Sequence, residues 1–332
     1  ALENEIKKYY EGEKIDTIYI GGGTPSCLDI HQLNKLFNIV SLFNIHDVFE
    51  FTFECNINDI NEELLNLLNK HRVNRLSIGV ESFNEEVIKY LNRSHNKKEI
   101  FDKIKLVKDK YFDNINIDLI YAVPNESLNM LKNDIKNVLK LDIPHISTYS
   151  LMIEDNTILK INNEKSINED LDREMYDYIC KTLKRKGYDH YEVSNFCKKA
   201  NESKHNLKYW YNEEYYGFGL SAHGYINGIR YENTKNMNKY IEGNIKIEEI
   251  FLSKKEDMEN YLILGLRKLE GINIKDFFDR YDENIQDIFD IRTPIKEKLL
   301  ILDKYNLKIP EDKIYIMNEI LEKLLEKNKI LN

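Results

Sequence analysis

At 332 residues, with 42% hydrophobic and 32% charged residues, the chain has the composition of a folded protein and room for about two domains or one large α/β domain with an appendage. The net charge of -9, with both signs interleaved, argues against a nucleic-acid binder, and no apolar run approaches the ~20 residues of a membrane span. Cys27, Cys55, Cys180 and Cys197 are far apart, follow no secreted disulfide spacing and have no signal-peptide pattern before them, so a soluble protein of the reducing cytoplasm is expected.

The chain opens on ALENEIKKYY, where Leu2, Ile6 and Tyr9/Tyr10 have the spacing of an amphipathic helix. Nothing caps that helix and nothing upstream explains which face it buries, which leads us to expect a further segment before Ala1. From residue 15 to about 153, short β-branched or aromatic runs alternate with longer helical ones. Strands are predicted at Thr17 to Ile20, Phe49 to Glu54, Arg75 to Val80, Asn114 to Tyr121 and His145 to Ile153. Helices are predicted at Ile30 to Phe43, Asn61 to Lys70, Asn84 to Leu91, Lys97 to Lys110 and Leu128 to Leu141. Such alternation means right-handed βαβ units and a parallel sheet. A long helix from Asn168 to Lys186 is ended by Gly187, which suits the left-handed position after a helix. The stretches YDHYEVSNF, HNLKYW and YYGFGLSAHG follow. The tail carries GLRKLEGINIKDFF, a helix broken at Gly271, and LKIPEDKIYIMNEILEKLLEK, which reads as a hairpin followed by a helix. No internal repeat is visible.

In a closed or partly closed parallel barrel the chemistry gathers at the C-terminal ends of the strands. The five strands here end in GGGTP, FECN, SIGVES, IDLIYAVP and YSLMIE, so one site built from several strand ends is the natural inference. GGGTP departs from both the dinucleotide fingerprint and the P-loop. Its glycines allow close backbone approach to an amine or carboxylate; the plainer alternative is a tight turn in which Thr24 caps the next helix. Asp118, inside the apolar run INIDLIY, is costly to bury unless it holds a ligand hydroxyl or amine, or pairs with an arginine such as Arg75 or Arg93. Glu54 closes the second strand. In HNLKYW, His205 could ligate a metal while Tyr209 and Trp210 supply ring faces; the alternative is an aromatic packing cluster. His223 in SAHG is a second candidate, with a turn or core role as its alternative.

The ordered series IYIGGGTPS, FTFECN, VNRLSIGVESFN, YLNRSH, INIDLIYAVP, HISTYSLMIE, YEVSNF and HNLKYW resembles the HemW-type haem chaperones, relatives of the oxygen-independent coproporphyrinogen III oxidases in the radical S-adenosylmethionine superfamily. The resemblance covers essentially the whole chain. It implies an α/β fold: a partial (β/α)6 barrel, here without its first strand, and a C-terminal, mostly helical, winged-helix-like domain. The corresponding division is residues 1–160 for the barrel, 161–245 for an accessory region with HNLKYW, and 246–332 for the C-terminal domain.

The resemblance further implies that Gly22, Gly23 and Thr24 hold the methionyl end of S-adenosylmethionine, and that Glu54, Arg93 and Asp118 contact its carboxylate and ribose. Glu81 stands where the family usually has Gln and belongs to the same set. His205, Asn206, Tyr209 and Trp210 are implied in haem binding, with His205 as the candidate ligand of the haem iron. In the family a C-x3-C-x2-C triplet holds a 4Fe-4S cluster; this sequence has no such triplet, and the separated Cys27 and Cys55 do not replace it. The implied partners are haem and a haem-acceptor protein, with peripheral membrane association only through that acceptor. Two other readings stand beside the chaperone: a coproporphyrinogen III oxidase carrying out radical oxidative decarboxylation in porphyrin biosynthesis, and a degenerate or truncated paralogue without radical activity.

An ionised Glu only accepts hydrogen bonds, whereas Gln also donates. Glu81→Gln is therefore expected to tighten S-adenosylmethionine binding relative to the parent, measured by equilibrium titration; an unchanged Kd removes the argument.

Overall fold

The computed structural model describes residues 1–110, 112–152 and 167–330. The chain divides into two compact units, one formed by 14–190 with 194–202 and the other by 1–13, 191–193 and 203–332.

The first unit is built on a seven-stranded sheet of order β1-β2-β3-β4-β5-β7-β6. Strands β1 (Lys14–Ile20), β2 (Asn44–Asn56), β3 (Arg75–Glu81), β4 (Ile115–Tyr121) and β5 (His145–Ser150) are parallel neighbours, and β7 (Asn195–Cys197) runs antiparallel to β5, with β6 (Asp189–Glu192) beyond it. All five predicted strands are present. The end of the fifth expected strand, at Ile153, and Glu154 of YSLMIE lie outside the described residues.

The predicted helices also form, as α2 (Ile30–Val40), α3 (Glu62–Lys70), α4 (Glu85–Tyr90), α5 (Lys97–Asp109) and α6 (Leu128–Lys140), each slightly shorter than its apolar pattern. Their starts are set by side chains that satisfy the first free N–H groups. Asn61, Asn84 and Asn96 cap α3, α4 and α5, and Ser127 caps α6. Thr24 does not cap α2. It precedes a short 3₁₀ turn, Pro25–Cys27, and the cap is Asp29, which exchanges hydrogen bonds with Gln32 in a capping box. The later helix, Glu169–Arg185, is capped by Asn168 and stopped by Gly187 at φ +83°, the left-handed backbone that the sequence suggests.

Helices and sheet meet on one apolar face. Phe51, Phe53, Leu76, Ile78, Val80, Ile115 and Ile117 are at most 2% exposed. Phe37 of α2 lies 6.1 Å from the rings of both Phe51 and Phe53. Full burial of each such side chain stabilises by about 1.5–3 kcal/mol, which makes this face the main source of the unit's stability.

The second unit contains α1 (Leu2–Tyr9) and two small antiparallel sheets. One has the order β10 (Lys246–Phe251), β9 (Ile229–Asn233), β8 (His223–Ile226); the other joins β11 (Ile272–Asn273), β13 (Asn306–Lys308) and β12 (Ile301–Leu302). The face that α1 buries carries Ile6 and Glu5, the latter only 1% exposed. Glu5 accepts hydrogen bonds from Asn233 Nδ2 at 2.6 Å, Tyr240 Oη at 2.6 Å and the Gly219 N–H at 2.9 Å. The break at Gly271 is real: the helix Lys254–Gly265 ends, and Ile274–Tyr281 begins after β11. Gly271 has φ +74°, and a Cβ there would stand 2.1 Å from the Leu307 carbonyl oxygen. The tail differs from the sequence reading. Its hairpin lies earlier, Ile301–Lys308, and Glu311–Ile316 is a 3₁₀ turn that leads into the helix Met317–Ile330. The alternation in DKIYI suggests a strand, but Pro310 starts a turn there, and Ile314 and Met317 are buried instead.

Glu5 satisfies three donors in a buried place, so Glu5→Ala should lower the unfolding free energy by about 3 kcal/mol or more. Glu5→Gln, which keeps one acceptor oxygen, should cost less. Urea denaturation of the two variants and the parent checks the order.

Candidate functional site

Successive residues of a strand face opposite sides of a sheet, so the register decides which side chains share a surface. Opposite the apolar face, three rows cross the strands. Tyr19 pairs with Thr52 and Thr52 with Arg75; Glu54 with Ser77, Ser77 with Asn116 and Asn116 with His145; Gly79 with Asp118 and Asp118 with Ser147. A parallel sheet covered on both faces usually reads as continuous apolar runs. Here one whole face is polar, and most of it is buried: Thr52, Arg75, Ser77, Asn116, His145 and Ser147 are all at most 4% exposed.

The polar groups satisfy one another in a defined order. Asn116 Nδ2 donates to Asp118 Oδ1 at 2.9 Å and to Ser77 Oγ at 2.8 Å, and Ser77 Oγ donates to Asp118 Oδ2 at 3.0 Å. Asn116 Oδ1 accepts from Ser147 Oγ at 3.0 Å and lies 2.6 Å from His145 Nδ1. Burial, aided by the Arg75 charge, holds His145 well below the usual imidazole range, so it is neutral and donates through Nδ1. Burial pushes the Asp118 carboxyl upward, and the bonds from Ser147, Asn116 and Ser77 oppose that shift. Among the described residues no arginine forms an ion pair with Asp118, although the Arg75 charge reaches it; Arg93 pairs with Glu81.

At the strand ends the backbone has been shaped for close approach. A Cβ on Gly21 would stand 2.5 Å from Glu54 Cδ, so a side chain there would displace that carboxylate. Glu54 Oε1 accepts from Tyr19 Oη at 2.6 Å, and the Gly22 N–H also donates to Glu54. Gly22 has φ +82°, and neither it nor Gly23 has an atom within 4 Å of where a Cβ would stand. Beyond Gly79 the β3–β4 register shifts and Glu81 takes φ +63°, rare for a residue with a side chain. Its carboxylate lies 2.8 Å from the place of a Gly79 Cβ and accepts from Arg93 Nη2 at 3.0 Å.

The structure therefore brings Gly22, Glu54, Glu81, Arg93 and Asp118 into one neighbourhood, with Gly23 and Thr24 in the same loop as Gly22. Burial, and after it the Asp118 charge, raises the pKa of both Glu54 and Glu81. Burial, then Asp118, push Glu81 up to about 7 against the pull of Arg93. Tyr19, Asn116, His145 and Ser147 belong to the same face and were not singled out from sequence. Their signal is there in period two: polar residues at every second position of INID and HIS, and Tyr19 in TIYI.

In the other unit, HNLKYW forms a helix, Lys204–Trp210, capped by Ser203 and with no fully buried residue. His205 Nε2 lies 2.9 Å from Tyr209 Oη, one helical turn on, and their rings meet edge-on at 5.2 Å. Tyr209 packs edge-on against Tyr215 at 4.6 Å, and burial pushes its hydroxyl up to about 12, so it stays protonated. Trp210 Nε1 is buried without a hydrogen-bond partner, and the Arg267 guanidinium stands 5.6 Å from the Trp210 ring. Asn206 contributes its N–H to the cap, at 3.3 Å from Ser203 Oγ. His223 is exposed at the start of β8. Cys27 is exposed and Cys55 buried, and among the described residues no three His, Cys, Asp or Glu side chains group as metal ligands.

Residues 1–138 match the Radical SAM superfamily profile and residues 252–311 the HemN C-terminal domain. The chain is 38% identical to the heme chaperone HemW of Lactococcus lactis subsp. lactis, over 98% of this chain and 89% of that protein. It is 36% identical to the heme chaperone HemW of Bacillus subtilis, over 86% and 79%. Among solved structures, coproporphyrinogen III oxidase (HemN) of Escherichia coli superposes with a TM-score of 0.85 at 20% identity, covering 97% of this chain and 81% of that one, which establishes the shared fold.

Glu81 supplies a pH test. Its pKa is about 7 in the folded chain against an ordinary 4.5, so its contribution to stability is full below pH 4.5 and is lost as pH rises through 7. The loss is on the order of 3 kcal/mol. Glu81→Gln should flatten the fall in Tm between pH 5 and 8. Buried Glu126 titrates in the same window in both proteins, so the difference between their profiles isolates Glu81.

Proposed function

The chain belongs to the HemW family within the radical S-adenosylmethionine superfamily, and from that membership we propose that it is a haem chaperone, binding haem and passing it to an acceptor protein. The observation that carries the reading is the presentation of HNLKYW. A helix that serves only as packing buries an apolar stripe. The helix Lys204–Trp210 buries none of its residues fully, and it carries His205, Tyr209 and Trp210 together. A neutral imidazole is the common axial ligand of haem iron, and aromatic rings cover porphyrin faces. Nε2 of His205 is engaged by Tyr209, so ligation through that nitrogen exchanges one hydrogen bond for one coordinate bond.

The strand-end site fits S-adenosylmethionine. Its donor set is rich in acceptors, Glu54, Glu81 and Asp118, that suit an amine and ribose hydroxyls, and the Gly21 to Gly23 turn leaves backbone exposed where a Cβ would obstruct. Gly22, Gly23 and Thr24 would hold the methionyl end, Glu54 the amine, and Asp118, Glu81 and Arg93 the carboxylate and ribose. When bound, the sulfonium supplies a carbon–sulfur bond that one electron can break. A 4Fe-4S cluster does not fit the residues present: Cys27 is exposed, the Cys55 thiol is buried with its pKa pushed up, and among the described residues no third thiolate joins them. The work assigned to this chain's own side chains is binding and positioning.

Titration with ferric haem should give a saturable Soret shift. His205→Ala should weaken it more than tenfold, and His223→Ala should leave it unchanged. Absence of a saturable shift in the parent would sink the chaperone reading for this chain.

A further inference from the structure

Arg75, the first residue of β3, is 2% exposed and lies on the polar face of the sheet. Its guanidinium is a permanent cation with five N–H donors. Yet Nε is buried without a partner, and among the described residues no hydrogen bond or ion pair engages the side chain. Glu50, two residues before Thr52 on β2 and so on the same face, is 3% exposed and has an interaction of its own. Asp118 takes its hydrogen bonds from neutral donors and meets Arg75 through its charge alone. Beside Arg75, its direct partner in the β2–β3 register is Thr52, fully buried, whose hydroxyl likewise has no partner.

Two adjacent donors, one of them charged, both buried and both unsatisfied, are expensive in a folded chain unless something completes them. The remaining side of the pair faces the interior among Tyr19, Asp118 and His145, each of which feels the Arg75 charge. What completes a guanidinium beside a hydroxyl is an oxyanion. A carboxylate matches the planar fork in two parallel bonds and leaves an oxygen lone pair for the threonine hydroxyl. A phosphate would bring a second negative charge onto a face that already holds Glu54 and Asp118.

We propose that Arg75 and Thr52 form a carboxylate-binding subsite inside the barrel, which receives a carboxylate group of the ligand that occupies it. The subsite is separate from Arg93, which is engaged by Glu81, and does not depend on the haem reading.

The test uses the full 332-residue chain and sodium propionate as probe, with sodium chloride and sodium phosphate as the other arms, at constant ionic strength. Propionate should raise Tm saturably in the millimolar range, and chloride and phosphate should not. Arg75→Gln should weaken the propionate response more than tenfold and Thr52→Val several-fold. If Arg75→Gln fails to fold, Thr52→Val decides, because removal of one methyl-sized hydroxyl keeps the packing. No saturable response in the parent, an equal response to chloride or phosphate, or a response that survives both substitutions overturns the proposal.

Discussion

Asp118 is a carboxylate held on a buried strand face by neutral donors, Ser77 of β3 and Asn116 of β4, with Ser147 of β5 in turn bonded to Asn116. Much of the first unit depends on that arrangement. Asn116 is its pivot, with Nδ2 committed to Asp118 and Ser77 and Oδ1 to His145 and Ser147. Every one of those bonds requires Ser77, Asn116, Asp118, His145 and Ser147 to share a face, and a slip of one residue in either strand pair would turn half of them toward the helices. Register and site are therefore a single constraint. The apolar face supplies the stability, and the polar face selects which register that stability is spent on.

Such a face is unusual in a parallel sheet, and its cost is visible in the backbone and in the charges. At Gly21 and Gly79 the carboxylates of Glu54 and Glu81 occupy the space that a side chain would take. Glu81 reaches its place only through a register shift and a left-handed backbone. These are local violations of what a strand prefers, and they gather at the C-terminal ends of the strands, where the residues with chemistry also gather.

The strands and helices of the first unit were legible because each is a short apolar run or an amphipathic repeat bounded by an Asn, Asp or Ser that can cap. Asn61, Asn84, Asn96 and Asn168 in this unit and Asn236 and Asn273 in the other all accept a backbone N–H at a helix start, so the asparagines of the sequence mark where helices begin. What failed were choices that depend on tertiary partners. Thr24 and Asp29 are both plausible caps by type, and only the 3₁₀ turn between them decides for Asp29. DKIYI has strand alternation, but the turn that starts at Pro310 overrides it. The partner of Asp118 is likewise not a matter of spacing: an arginine was the obvious candidate, and an asparagine of its own strand and a serine of the next supply the hydrogen bonds. At the site, Asp118 and Glu54 stood out in their own strands, Glu81 and the role of Arg93 came through motif resemblance, and His145 and Tyr19 needed the register.

The same register also refines the difference between Glu and Gln at position 81. By side-chain type alone, Glu accepts where Gln both accepts and donates. Burial and the nearby Asp118 charge put the Glu81 pKa close to 7, so near neutrality a large share of Glu81 carries its proton and can donate an O–H bond as Gln would donate N–H. Below that pH the two side chains offer a ligand nearly the same hydrogen bonds. Above it they diverge, because Glu81 becomes a third carboxylate beside Glu54 and Asp118 and pairs with the Arg93 cation. The substitution at this position thus acts less as the loss of a donor than as a pH dependence added to the site, and its effect on a cationic ligand changes with the proton that Glu81 holds.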